Sequence, residues 1–443
     1  MNKIKNMSEG SFLKLFFACL SACFVIAAVI MPDRGSMLSG FWTILTQPCK
    51  VSTNYFAMGG YAATFLNMGL VGLVCTALCF LPGAKPNNAT TLAVILTIGF
   101  GSWGINVFNI IPTILGVALY CLVKKEKLGA QANAMMFSTG IAPLISDLVL
   151  RYPGEAVAFS WGGLALAIFV GIIIGFFLPA GLTHSPVVHK GYDHYSAALP
   201  IGMTAFFLRA VLYKVMGGTL PAAPAADTLS VASWPAVNVF CFAVFGLCIV
   251  FALLMGCKPK DYWQLLKDPG HGVSFSTKYG NAAFLMNVGV FGLFIVAYYN
   301  LIGASFNGVT FGIIFCMLAT CNSGSHPGNV WPIMVGYLLT SGVFGLLFVG
   351  EGDFALTINA QAIVIGLCYA NGLSPIAGKY GWGCGVLAGG LHYLLVTSVP
   401  DLHGGFCLYN GGFTAALICL MLVPQLERFC KTKEERALAK AQK

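Results

Sequence analysis

The chain has 443 residues, 58% of them hydrophobic and 9% charged, with a mean hydropathy of +0.82. A soluble domain carries about 25% charged residues, so the composition excludes a soluble globular protein and predicts an all-α polytopic membrane protein. The formal net charge of +9 sits largely in loops and the tail, where it reports orientation across a bilayer and argues against nucleic-acid binding.

In chain order, Phe12–Ile30 follows Lys3 and Lys5, has no small-residue cleavage site after it, and reads as the first membrane span. Further apolar segments are predicted near 57–82, 90–103, 106–123, 131–149, 157–179 and 196–216. A stretch rich in Ala, Pro and Ser, Gly217–Asn238, reads as a connecting loop. The second half carries segments near 238–256, 281–301, 309–322, 330–349, 360–377, 383–399 and 407–424. Several are too short to cross about 30 Å of hydrocarbon as regular helices and are expected to be half-helices or re-entrant pairs. The division is a membrane repeat over 1–216, a connecting loop over 217–238, a second repeat over 239–427 and a basic cytoplasmic tail over 428–443. The 16 cysteines are scattered through apolar runs without CxxC pairs or a Cys/His ligand spacing. They read as small apolar core residues, and neither a metal nor another cofactor is expected.

The two halves match at a fixed offset. Thr90 and Thr310, Gly104 and Gly324, Asn109 and Asn329, Pro112 and Pro332, and Gly116 and Gly336 all differ by 220. So do Asn67 and Asn287, Gly69 and Gly289, and Gly72 and Gly292. Leu matches Leu anywhere in so apolar a chain, but Asn and Pro do not match at one register by composition. Both copies place a Gly- and Asn-rich break between apolar runs, which lipid tolerates only where protein or a water-filled cavity covers it. Charge then sets the relative orientation. Lys124, Lys125 and Lys127 follow the first copy of this stretch, whereas the equivalent loop 340–355 has no Lys or Arg and carries Glu351 and Asp353. Short cytoplasmic loops collect Lys and Arg. The opposite bias predicts two inverted-topology repeats of about seven segments each, some broken or re-entrant, with both termini cytoplasmic. Lys50 and Arg151 fall on the outer side and are exceptions to that assignment.

Inverted repeats place a solute site near the midplane between discontinuous helices. Asn109 and Asn329 each precede a Pro by three residues at the entry of an apolar helix, and His326 stands where Asn106 stands in the first half. Such groups either cap the helix or face a solute. Asn67 and Asn287 lie mid-segment, as helix–helix glue or as pore lining. A second repeated set comprises His189 with Tyr195 and Ser196, and His403 with Tyr409 and Asn410. It reads as a capping turn, or as groups near the two mouths of a path. Setting aside Lys14 at the edge of the first segment, Asp147 and Arg209 are the charged residues clearly placed within apolar segments. A segment-end position for Asp147 and a snorkelling position for Arg209 are the structural alternatives to a functional one.

The favoured reading is a transporter or channel for a small polar solute, with a path between the repeats lined by Asn67, Asn109, Asn287, His326 and Asn329. Its partners are the solute and the lipid bilayer, and homo-oligomerisation is left open. The rival is an intramembrane enzyme on a lipid-linked substrate, with His189, His403 or His326 as base.

Residues 55–70 (YFAMGGYAATFLNMGL), Ser325-His326-Pro327-Gly328-Asn329 and Leu402-His403-Gly404-Gly405 resemble a family of uncharacterised bacterial polytopic membrane proteins with twin copies of a domain of unknown function. That resemblance covers most of the chain and implies a bacterial inner-membrane location. Leu408-Tyr409-Asn410-Gly411-Gly412-Phe413 is similar, more weakly, to the helix-end runs of urea transporters, which are also two inverted halves. The chain lacks their Asn-Pro signature, reading Ala142-Pro143 and Ser374-Pro375 instead, so urea is not carried over as substrate.

Overall fold

A computed structural model describes residues 7–348 and 356–442. Lys3, Lys5, Glu351 and Asp353, which entered the charge comparison, lie outside the described residues. The first half contains α1 (Glu9–Ile30), α2 (Tyr61–Leu78), α3 (Asn88–Phe100), α4 (Ile111–Lys124), α5 (Ala132–Ser138), α6 (Ala142–Leu150), α7 (Trp161–His189) and α8 (Ala198–Arg209). The second repeats the order with α9 (Trp234–Leu254), α10 (Phe275–Leu301), α11 (Gly308–Leu318), α12 (Pro327–Leu347), α13 (Gln361–Ala370), α14 (Ser374–Tyr380), α15 (Trp382–Val396) and α16 (Asn410–Phe429). A tail helix, α17 (Lys433–Ala441), follows. Among the described residues nine helical stretches are long and apolar enough to cross a membrane, while α3, α4, α15 and Gly308–Asn322 are shorter apolar helices. The chain is an all-α polytopic membrane protein.

Equivalent residues build equivalent helix ends. Asn87 Oδ1 accepts from Thr90 N at 3.1 Å to start α3, and Asn307 Oδ1 accepts from Thr310 N at 3.0 Å to start α11. A side-chain acceptor there satisfies an amide the helix leaves orphaned. Gly60 and Gly280 take φ of +86° and +84°, each separating a short helical turn from the long helix that follows. Only glycine adopts that conformation without strain.

Like elements of the two halves meet antiparallel. Along α3 and α11, Thr91 meets Asn322 at 3.1 Å, Leu96 O meets Cys316 Sγ at 3.8 Å, and the Ser102 end lies against Gly308. Gly99 and Gly312 form the closest approach: a Cβ on Gly312 would stand 2.2 Å from Gly99 O. Beside this crossing an aromatic cluster joins the halves, with Phe24 4.7 Å from Phe240 and Phe65 4.8 Å from Phe311 between ring centroids. The segment before each final helix also crosses over. Tyr195 packs on Gly372 and Tyr409 on Gly140, while His194 N donates to Gly372 O at 3.1 Å and Leu408 N to Gly140 O at 2.9 Å. The centre is therefore packed largely with apolar and aromatic side chains.

The two ends of the bundle differ. At one, Glu9 at the start of α1 accepts from Thr277 Oγ1 at 2.9 Å, His271 Nε2 pairs with Lys190 O at 2.9 Å, and Lys190 meets Glu427 at 2.6 Å. At the other, beyond the far end of α1, Asn54 Nδ2 donates to Thr228 O and Val231 O at 2.8 Å and Lys50 Nζ to Pro221 O at 3.1 Å. The first is the His271 end and the second the Lys50 end.

Candidate functional site

The amides at the breaks are engaged in matching ways. Asn67 Nδ2 donates to Gly101 O and Ile105 O, both at 2.7 Å. Asn287 Nδ2 donates to Cys321 O and Ser325 O at 2.8 and 2.9 Å. Each amide thus ties down the carbonyls that its half's break releases from helical pairing. Asn109 Oδ1 accepts from Asn106 N at 2.9 Å, and its Nδ2 donates to Gly104 O at 3.1 Å and Ser146 Oγ at 3.0 Å. Asn329 Oδ1 accepts from His326 N at 3.0 Å, and its Nδ2 donates to Gly324 O at 2.8 Å. His326 Nδ1 accepts from Gly328 N at 3.1 Å and its Nε2 faces Asp268 O at 2.9 Å, so the neutral ring carries its proton on Nε2. All five side chains are buried.

The two breaks do not approach one another. The first lies beside the start of α11, through Gly308 and Ser102, and the second beside the start of α3, through Asn322 and Thr91. About 11 residues, most of them in α3, separate Thr91 from Ser102, roughly 16 Å at 1.5 Å per residue. An antiparallel crossing of equal helices requires this, since each helix's end meets the other's start.

The second repeated set is also split between the ends. His189 Nε2 lies 2.8 Å from Ser196 Oγ, at the His271 end. Tyr195 OH reaches inward to Cys316 O at 2.9 Å and Cys368 O at 3.1 Å. Next to it, Asp193 Oδ1 accepts from Tyr195 N at 2.8 Å, and Asp193 Oδ2 has no partner among the described residues. Burial pushes the Asp193 carboxyl up to about 7. At the Lys50 end, His403 Nδ1 lies 2.5 Å from Asn410 Oδ1. Burial lowers the His403 pKa, so the ring is neutral and donates from Nδ1 to the amide oxygen. Its Nε2 and the Tyr409 hydroxyl have no partner among the described residues.

A cavity of about 510 Å³ opens at the Lys50 end. The first half contributes Lys50, Ser52 and Arg209, the connecting loop Leu220 and Pro221, and the second half Asp401, Gly404, Gly405 and Asn410. A neighbouring cavity of about 350 Å³ shares Lys50, Pro221 and Pro224. The His403-Gly404-Gly405 motif makes room for two cations. Gly404 and Gly405 take φ of +63° and +79°. A Cβ on Gly404 would stand 3.0 Å from Arg209 Cγ, and one on Gly405 2.8 Å from Lys50 Cε. Burial holds the Lys50 ammonium below the ordinary lysine range, against the pull of Asp147 and Asp401. Among the described residues no hydrogen bond or ion pair of the Arg209 side chain is found, and its Nε is buried. Asp147, by contrast, is fully buried and held by Arg151 at 2.6 Å and by the Tyr213 hydroxyl. Of the predicted site residues only Asn410 lines the cavity; Lys50, Arg209, Gly404 and Gly405 join it there. Lys50 carried a signal in the sequence, as a cation on the side where such residues are scarce.

The fold and this seam cavity define the class: a helical polytopic membrane protein of two like halves joined antiparallel. The model of the family described as "Protein of unknown function (DUF1576)" matches residues 33–214 and again 258–428, and the chain belongs to that family. The two matches correspond to the two halves and bear out the expected twin-copy family. No curated protein and no solved structure matches the chain, so the likeness to urea transporters gains no support.

Proposed function

We propose that the protein is an integral membrane transporter or channel for a small polar solute, with the path running between its halves. The observation that carries this reading is the cavity of about 510 Å³ lined by both halves and their connecting loop, with an arginine inside an apolar helical stretch turned into it. Ionisable groups at such positions mark solute or ion pathways. The antiparallel pairing of like helices supports inverted repeats, and the Lys and Arg bias supports cytoplasmic termini. In that orientation the cavity opens outward. The packed aromatic centre beneath it suits a carrier held with one side shut, or a closed channel. The break amides then act as the frame of the path rather than its lining.

The rival enzyme reading is less well supported, because His189 and His403 lie at opposite ends and His326 is bound to backbone on both ring nitrogens. Uptake of labelled solutes into proteoliposomes of the full chain tests the proposal. The panel should span neutral amides, zwitterions, monoanions and monocations, with and without ion gradients. If none enters faster than into protein-free vesicles, the transport reading is refuted.

A further inference from the structure

The cavity at the Lys50 end has a polar wall and an apolar wall, and the two select a class of solute. Lys50 and Arg209 bring two positive charges from the first half. Asn410 brings a third donor from the second: its oxygen is taken by His403 Nδ1, which leaves its NH2 group for the cavity. These three are donors, and the one carboxylate among the lining residues, Asp401, is exposed at the rim. Elsewhere the walls are mostly apolar, Leu220, Ala362, Ile365 and Val396 among them, with the hydroxyls of Ser52 and Thr397. A halide would leave those walls facing water. An organic anion fills both sides.

We propose that the cavity binds a small organic monocarboxylate, its carboxylate held by Arg209, Lys50 and Asn410 and its apolar body against Ile365 and Val396. The planar guanidinium matches a carboxylate in a two-pronged geometry that an ammonium cannot reproduce. The two cations against Asp401 leave a surplus of one positive charge, which favours a monoanion over a dianion. The assignment rests on the transport reading for its purpose, but the site stands on its own geometry.

The test uses purified full-length protein and carbon-14-labelled butyrate, with binding read by scintillation proximity. Butyrate should bind, and butyramide, the neutral analogue of the same shape, should compete at least ~10-fold less well. Succinate and 2-aminobutyrate, a dianion and a zwitterion, should also compete less well. Arg209→Gln should weaken butyrate binding about 10- to 100-fold, the loss of one charge-assisted pair, and Arg209→Lys less. If Arg209→Gln fails to elute as a single species, Lys50→Gln carries the same expectation. Equal competition by butyramide or 2-aminobutyrate, unchanged binding in the variant, or no binding of butyrate would each overturn the proposal. Uptake separates it from the reading it rests on. Butyrate bound as described, with no solute of the panel transported, upholds the site and sinks transport. A neutral solute transported without any butyrate binding upholds transport and sinks the site.

Discussion

Replacing Asn67 by Asp changes almost no volume and tests whether this amide frames the break. Both hydrogens of Asn67 Nδ2 are spent, on Gly101 O and Ile105 O at 2.7 Å each, and its Oδ1 is buried without a partner among the described residues. An ionised aspartate would set an oxygen against two carbonyl oxygens with no proton between them. A protonated one has a single proton for two acceptors. Either way a buried carbonyl loses its partner, which costs ~1–3 kcal/mol, and the carboxyl must also be neutralised or left charged in the interior. The expected loss is about 3–5 kcal/mol. Asn67→Leu, which loses both bonds but adds no charge, should cost about 2–4 kcal/mol. Asn287, bonded to Cys321 O and Ser325 O at the same register, should respond alike. The assay is thermal unfolding followed by size-exclusion chromatography, with all four variants in one detergent. If either aspartate variant were as stable as the parent and altered only solute uptake, the framing role would be wrong and a lining role restored.

Three further outcomes follow from the same geometry. Gly312→Ala should destabilise by ~1–3 kcal/mol or prevent assembly, because its Cβ would stand 2.2 Å from Gly99 O at the crossing of the halves; the yield of monodisperse protein reads this. Asp147→Asn should cost about 3–5 kcal/mol in thermal stability, since it leaves Arg151 buried without its countercharge. Asp193 is held near 7 in the folded chain against an ordinary value near 4, so the folded state keeps a proton that the unfolded chain has released. That contribution is fully present below about pH 4, is lost as pH rises towards 7, and changes little above it. Relative to Asp193→Asn, the parent should therefore lose about 2–3 kcal/mol of stability between pH 5 and pH 8, measured by unfolding at each pH.

Much of the frame was legible because the matching residues have few substitutes. A half-helix that stops inside the membrane needs an amide to bind its freed carbonyls, and Asn67 and Asn287 supply it at one offset. Gly60 with Gly280 and Asn87 with Asn307 obey the same offset and mark helix starts that the expected segments placed only approximately. The site was less legible, because it is made from residues far apart in sequence. Arg209 suggests a snorkelling arginine until Gly404 is seen making space for it. Lys50 counts as an exception to a charge rule until the connecting loop closes over it. The repeat pattern draws attention to Asn109, His326 and Asn329, yet what repeats is the capping of breaks. The cavity occurs at one end. Asn410 and Gly405 have counterparts in Ser196 and Gly191, but the two cations do not: the position 220 after Lys50 is Gly270 and the position 214 after Arg209 is Val423.

The most direct measurement is flux with the cavity plugged. Thr397 is exposed and lines it, so Thr397→Cys in sealed proteoliposomes can take a bulky, membrane-impermeant thiol reagent, with labelled parent protein as control. For the solute taken up best, complete labelling should reduce uptake to a few per cent of that control. Uptake that continues unchanged through fully labelled protein would mean that nothing passes between the halves here.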